Sequence, residues 1–338
     1  MTSSMPQTLA SCVSQFAKQR GQDVALRQKH LGIWREISWG SYFRNVSAAG
    51  RMLWELGVRP GDHVAILSDN CPEWLYADLG TQCAGGVAVG LYATSSAEQC
   101  GYNVGHAEAN IWIVEDQEQF DKAMAVRDQL ADLSWIVIID PRGLRQVDDP
   151  MVLTFAELLE KGRDLERVQP ELLEEQMAAI DPDDTVILFY TSGTTGPPKG
   201  VMLSHHNLSW TADCAVELVG ACADDYNLSY LPLSHIAEQM FSLHVPITTG
   251  GALYFAESIE RVKENLVEVQ PTILFAVPRI WEKMHAQVVL KMKDSSWLKR
   301  TLFDFFSSRG QAIASKGDDA KRTLWERLVW WVGDMLVF

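Results

Sequence analysis

The stretch from Ile187 to Leu208, ILFYTSGTTGPPKGVMLSHHNL, places four hydroxyl residues (Thr191, Ser192, Thr194, Thr195), three glycines (Gly193, Gly196, Gly200) and Lys199 between two apolar runs. Small residues let backbone N–H groups approach an anion, and a lysine adds a compact positive charge, so the loop reads as a phosphate grip. The spacing from Gly193 to Lys199 equals that between the first glycine and the lysine of a P-loop NTPase. Two substitutions argue against that motif: Pro198 has no N–H to donate, and Gly200 stands where a Mg²⁺-binding Ser or Thr should follow the lysine. After Lys199 comes VMLS, strand-like rather than the start of a helix facing the phosphates. The loop is therefore expected to join two strands, with the hydroxyls and local backbone amides as donors. An ordinary Gly/Pro/Thr hairpin explains a lone TSG or GPP, but not the full ten-residue string.

Working outward, the chain alternates short apolar runs with amphipathic stretches from Asp62 onward, the mark of successive βαβ units and a mostly parallel sheet. HVAILSD, VAVGLYA, NIWIVED and SWIVIID read as strands, as does Thr185 to Tyr190. Asn70 is placed to cap a helix that has Pro72 in its first turn. The acidic stretch from Phe155 to Ile180 favours helix. A second alternation follows the loop: YNLSYLPL, GALYF and TILFAV are strand-like, with Ile259, Val262, Leu266 and Val269 on one face of a helix between them. His205 and His206 follow Ser204 at a helix start and read as capping or surface residues rather than metal ligands. Two α/β layers of similar style are expected.

Composition narrows the partners. The 338 residues are 47% hydrophobic and 22% charged, enough for a substantial core and for more than one average domain. A formal charge of −15 disfavours nonspecific contact with nucleic acid or an anionic bilayer, so any anionic ligand must be gripped locally. Six cysteines without a CxxC indicate neither a zinc site nor a disulfide framework and fit a reducing cytoplasm. The N-terminus has neither the basic nor the apolar region of a secretory signal. The final run, Leu328 to Phe338, is too short to span a bilayer. The amphipathic tail from Trp297 to Phe338 offers a peripheral membrane contact, with a core-facing helix pair the favoured alternative.

The string TSGTTGPPKG, Thr191 to Gly200, resembles the signature of the adenylate-forming, AMP-binding superfamily of acyl-CoA synthetases, luciferases and peptide-synthetase adenylation domains. LGVRPGDHVAILSDNCPEW (Leu56 to Trp74), LPLSHIAEQ (Leu231 to Gln239) and AVPRIWEKM (Ala276 to Met284) support it in the family's order. The last two are most similar to long-chain acyl-CoA synthetases of the bubblegum subgroup. The resemblance implies an α/β fold: two adjacent, mostly parallel sheets flanked by helices, the large N-terminal domain of an adenylate-forming enzyme. It implies lobes near 58–221 and 222–338, with residues 1–57 packing with the second. No YGxTE-like or TGD segment, hinge or lid lysine occurs, so the 338 residues look like roughly the first half of a synthetase, incomplete at the C-terminal end and without the small lid domain.

The same resemblance implies a chemistry. A fatty acid carboxylate attacks the α-phosphate of MgATP, pyrophosphate leaves, and the thiol of CoA then attacks the acyl-adenylate. Thr191, Ser192, Gly193, Thr194, Thr195, Gly196 and Lys199 match the family's nucleotide grip, with Thr195 as a Mg²⁺ contact. His235 matches a catalytic histidine near the carboxylate and α-phosphate, where an imidazole can donate a hydrogen bond or limit entry; otherwise it is a satisfied core histidine. Trp281 and other apolar aromatics are available to line an acyl tunnel or to fill ordinary cores. ATP, Mg²⁺ and CoA are the implied cofactors and cosubstrates, with no nucleic acid among the partners. A fatty acyl-AMP ligase that passes its acyl group to a carrier protein, and a noncatalytic nucleotide- or acyl-binding module, remain alternatives.

Overall fold

The computed structural model describes residues 8–144, 148–191, 197–315 and 323–336. The chain opens with α1 (Leu9–Gln19), β1 (Val24–His30), β2 (Ile33–Ser38) and α2 (Trp39–Glu55). Then come β3 (His63–Leu67), α3 (Pro72–Cys83), β4 (Val87–Leu91), α4 (Ala97–His106), β5 (Ile111–Val114) and α5 (Gln117–Val126). These lead to β6 (Trp135–Ile138), β7 (Val152–Thr154), α6 (Phe155–Val168), α7 (Leu172–Ala178), β8 (Thr185–Thr191), β9 (Lys199–Ser204) and α8 (His205–Val219). The rest holds β10 (Tyr226–Ser229), α9 (Ile236–Gln239), α10 (Val245–Thr249), β11 (Ala252–Phe255) and α11 (Val262–Val269), then α12 (Pro278–Lys293), α13 (Trp297–Ala314) and α14 (Leu324–Leu336).

Seven strands form one sheet in the order β7-β6-β5-β3-β4-β8-β9, parallel except where β9 runs back along β8. Four form a second, β10-β11-β1-β2, in which β10, β11 and β1 are parallel and β2 is an antiparallel edge. The first sheet is central because its inner strands, β3 to β6 and β8, are apolar on both faces. Val64 and Ile66 of β3 enter one core with Trp39, Trp74 and Phe155, while Ala65 and Leu67 enter the other with Trp112 and Val89. The α/β fold and the expected strands at 63–67, 87–91, 111–114, 135–138 and 185–191 are present, and the loop after Thr191 does join two strands.

Several local expectations give way. Thr272 to Val277 forms no strand: the amides of Thr272 and Ile273 both donate to the Tyr226 carbonyl, at 3.0 and 3.3 Å, so a one-to-one ladder cannot propagate past the β10 edge. Ile259 lies exposed in a 3₁₀ turn ahead of α11, leaving Val262 and Val269 as that helix's buried apolar residues. At α8 the cap is Ser204, in a capping box with Asn207, and His206 is exposed. His205, in contrast, is buried at the first position of the helix, where loss of solvent pushes its imidazole down to about 4.

The chain divides into two compact units between Leu274 and Phe275. In the second, α13 and α14 pack through Phe306, Ile313 and Val329, while Trp281 of α12 is half exposed with its indole N–H on the Ala276 carbonyl at 3.2 Å. Among the described residues no helix is long and apolar enough to cross a membrane.

Two features of the first unit give measurable consequences. α6 crosses α2 so closely that a Cβ on Gly162 would lie 2.0 Å from the Ala48 carbonyl oxygen. On an open helix face Gly→Ala stabilises by up to about 1 kcal/mol. Here the sign reverses, and Gly162→Ala is expected to cost about 1–3 kcal/mol in urea unfolding as α6 is pushed off α2.

The second is Glu238, 2% exposed, whose Oε1 accepts from Ser229 Oγ (2.8 Å), Ser242 Oγ (2.6 Å) and the Tyr230 amide (3.2 Å). Burial outweighs these bonds and pushes the carboxyl up from 4.5 to about 7. The folded protein thus holds a proton at Glu238 that the unfolded chain releases near pH 4.5, and this group's stabilisation fades as pH rises from about 4.5 through about 7. Buried Asp78 acts in the same sense, whereas His205 and His244, both held neutral by burial, favour the fold as pH rises toward 6.5. Because these trends oppose each other, the wild-type minus Glu238→Gln difference isolates one group. That difference should fall by on the order of 3 kcal/mol between pH 4.5 and pH 8; a pH-independent difference would contradict a protonated Glu238.

Candidate functional site

In open α/β sheets ligands bind outside the carboxyl ends of the strands, where the strand order reverses. From β3 the chain moves to β4 on one side and then to β5 on the other, so the reversal lies at β3 and β4. A cleft of about 540 Å³ opens beside this point. One wall is the exit of β4 (Gly90 to Tyr92), continued by Thr94, Ser95, Gln99 and Asn103; a second is the end of β8 (Phe189 to Thr191) with Pro198; a third is Ser234 to Ile236. Among the described residues its lining holds no carboxylate, in a chain of net charge −15.

The structure brings together part of the set singled out by sequence. Thr191 and His235 line this cleft. Lys199 opens β9 directly opposite Thr191 in the antiparallel register, exposed, and among the described residues its ammonium has no ion-pair or hydrogen-bond partner. Ser192, Gly193, Thr194, Thr195 and Gly196 lie outside the described residues. Among the described residues no cluster of His, Cys, Asp or Glu is arranged to hold a metal ion.

His235 is exposed and ends the turn after β10, as the N-cap of α9. Its Nδ1 accepts from the Ala237 amide at 3.1 Å, so the neutral ring carries its proton on Nε2 and offers a donor rather than an acceptor at that end. Beyond α9 the helix continues through a π turn, Met240–His244, into α10, with His244 fully buried. On the facing wall the Tyr190 phenol is 2.8 Å from His106 Nδ1. Burial pushes that phenol up to about 12, keeping it a protonated hydrogen-bonding group at neutral pH.

Asn70 does not cap α3. The N-cap is Cys71, which makes no side-chain cap bond, and Pro72 occupies the first turn as expected. The Asn70 carboxamide reaches the other sheet: Nδ2 donates to Ser229 Oγ at 2.7 Å and to the Leu231 carbonyl at 2.6 Å, and Oδ1 accepts from the Leu233 amide at 3.0 Å. Gly90 meets the same turn from the other side, where a Cβ would lie 3.0 Å from Ser234 Cα. Gly90, Tyr190 and Glu238 carry no motif signal of their own; the one legible sign was the single carboxylate in HIAEQMFSL.

A second crevice, about 270 Å³, lies on the far side of Asn70 and is lined by Asp69, Glu115 and Glu257 with Lys29. Burial raises Asp69 and Glu115 above their ordinary range, and Lys29 is committed to Glu257 (3.2 Å) and Glu268 (2.6 Å). A polyanion meets repulsion there and none from the lining of the larger cleft.

The chain is similar to known proteins along most of its length. The chain is 38% identical over 305 residues to the long-chain-fatty-acid-CoA ligase ACSBG2 of Xenopus laevis, and 35% identical over 323 residues to the ACSBG2 ligase of Homo sapiens. These matches take in 88% and 92% of the chain but 40% and 46% of the relatives, so the chain spans less than half of their length. Among solved structures, the anthranilate CoA ligase AuaEII in complex with anthranoyl-AMP superposes with a TM-score of 0.70 at 24% identity, over 81% of this chain and 50% of that one. A long-chain-fatty-acid-CoA ligase, FadD1, from Archaeoglobus fulgidus gives 0.69 at 18% identity, over 86% and 55%. The family model described as AMP-binding enzyme matches residues 13–337, and with nearly the whole chain so covered, the protein belongs to the AMP-binding enzyme family.

Proposed function

We propose that this chain is the nucleotide- and acyl-binding part of an AMP-forming ligase that activates a long-chain fatty acid, first to acyl-AMP and then to acyl-CoA. The observation that carries this reading is the carboxylate-free cleft, bounded by Thr191, Pro198 and His235, in a strongly acidic chain. The names of these relatives support both the long-chain acid and CoA as acceptor.

In the first step a carboxylate oxygen bonds to the α-phosphorus as the bond to pyrophosphate breaks. Two anions must be brought together, so neutralisation and alignment are the protein's main tasks. Lys199, together with Thr191 and the hydroxyls of Ser192, Thr194 and Thr195, is assigned the β- and γ-phosphates. His235 Nε2–H is assigned a hydrogen bond to oxygen at the α-phosphate or the attacking carboxylate. Magnesium, when bound, would neutralise phosphate charge, with Thr195 as its contact. In the second step the CoA sulfur bonds to the acyl carbon, and AMP leaves with the electrons of the broken C–O bond. The cytoplasm is the proposed setting; six cysteines without a CxxC spacing are compatible with it.

In a full-length ligase that contains this chain, pyrophosphate release from MgATP should require a long-chain acid such as palmitate. Release with acetate or an aromatic acid, and none with palmitate, would contradict the assigned substrate class. In the same full-length ligase, Lys199→Ala should slow adenylate formation about five- to hundredfold, the loss of about 1–3 kcal/mol expected for one charged hydrogen bond. Transfer from preformed acyl-AMP to CoA should be spared, because the phosphates that Lys199 holds have already left. Equal impairment of both steps would assign Lys199 to the fold or to the adenylate.

A further inference from the structure

His235 sits on a turn outside any strand, and its reach into the cleft depends on what fixes Ser229 to Ser234. After β10 ends, the Leu231 carbonyl and the Leu233 amide have no ladder to join, and the Asn70 carboxamide takes both, at 2.6 and 3.0 Å. Its second N–H goes to Ser229 Oγ at 2.7 Å. Ser229 in turn donates to Glu238 Oε1, which lies one helical turn beyond His235 and also binds the Tyr230 amide. The turn is thus tied at its base, its middle and its far end. Gly90 supplies a flat wall against which Ser234 rests at backbone distance.

We propose that Asn70 is a positioning residue for His235: its carboxamide clamps the Ser229–Leu233 turn against the end of β3, and Gly90 backs the turn, so that the imidazole presents Nε2 to the cleft. This rests on the assignment of His235 to the reacting groups above. Asn70 follows a strand buried on both faces and precedes a helix that begins at Pro72 without using its side chain as a cap. Its carboxamide is therefore held by a rigid frame and free to act across the sheets.

The test uses the full 338-residue chain with Asn70→Ala, Asn70→Asp and Gly90→Ala. It reads residue-resolved amide exchange and the ¹⁵N signals of the histidine rings. Asn70→Ala should speed exchange at Leu233 and Ala237 by about tenfold or more while β3 to β5 change by less than about twofold, the pattern of a local opening. The His235 ring should move from a single Nε2–H tautomer toward a mixture. Asn70→Asp keeps an acceptor for the Leu233 amide and should restore its protection without restoring the ring signal. Gly90→Ala should shift the ring signal with Leu233 still protected. Unchanged exchange in Asn70→Ala, or a rise spread equally through the sheet, would overturn the clamp, as would an unmoved His235 signal in both Asn70→Ala and Gly90→Ala. None of these readouts needs turnover, so a full-length ligase containing this chain that released no pyrophosphate would count against the proposed reaction and not against the clamp.

Discussion

Three hydrogen bonds from the Asn70 carboxamide fasten the end of β3 to the turn that leaves β10, joining the two sheets at the edge where both send out their C-terminal loops. Much of the surrounding structure makes this bond set possible. β3 is buried on both faces and cannot shift, and Pro72 starts α3 with a fixed φ that spares the Asn70 side chain from capping. A glycine at position 90 lets the turn lie flat on β4. Beyond the turn, Glu238 is buried among Ser229, Ser242 and the Tyr230 amide, so the helix that starts at Ile236 is tied to the same strand end. The cleft is the space left between this fixed turn and the β8 end.

Charge distribution then decides what the space can hold. A chain with 44 acidic and 29 basic side chains repels a polyanion over most of its surface. The two crevices flanking Asn70 differ in this respect: one is lined by three carboxylates and a lysine already paired, the other by hydroxyl, amide, imidazole and aromatic groups. Lys199 stands exposed beside the second, where its field is not cancelled by a salt-bridge partner among the described residues. The same acidic composition that disfavours nonspecific contact with nucleic acid therefore makes the few uncharged or cationic surfaces selective.

The sequence disclosed the elements whose pattern is local. Strands such as His63–Leu67 and Ile111–Val114 are unbroken apolar runs between helical stretches, and the strand after Lys199 was legible from VMLS. What it hid was set by tertiary partners. Asn70 before a proline-led helix reads as a cap, and only the second sheet's turn reveals its other use. TILFAV has strand propensity, yet two of its amides converge on the single Tyr226 carbonyl. His205 reads as a surface residue because burial of a helix's first position depends on what packs over it. Of the candidate site, Thr191 and Lys199 were recognisable from the chemistry of their loop and His235 from the resemblance of LPLSHIAEQ to the family's motif, whereas Gly90 and Glu238 matter through contacts between segments more than a hundred residues apart or through burial, neither of which has a local signature.

We place the adenylate in the cleft between the β8 end and the clamped turn. A crystal structure of the chain soaked with a nonhydrolysable acyl-adenylate tests this placement most directly. The account predicts density for the phosphoryl group between Thr191 and His235, within hydrogen-bond distance of Nε2, with the Asn70 bonds to Leu231 and Leu233 intact. Density in the crevice lined by Asp69, Glu115 and Glu257, or a phosphoryl group at the β8 end with His235 turned away from it, would contradict it.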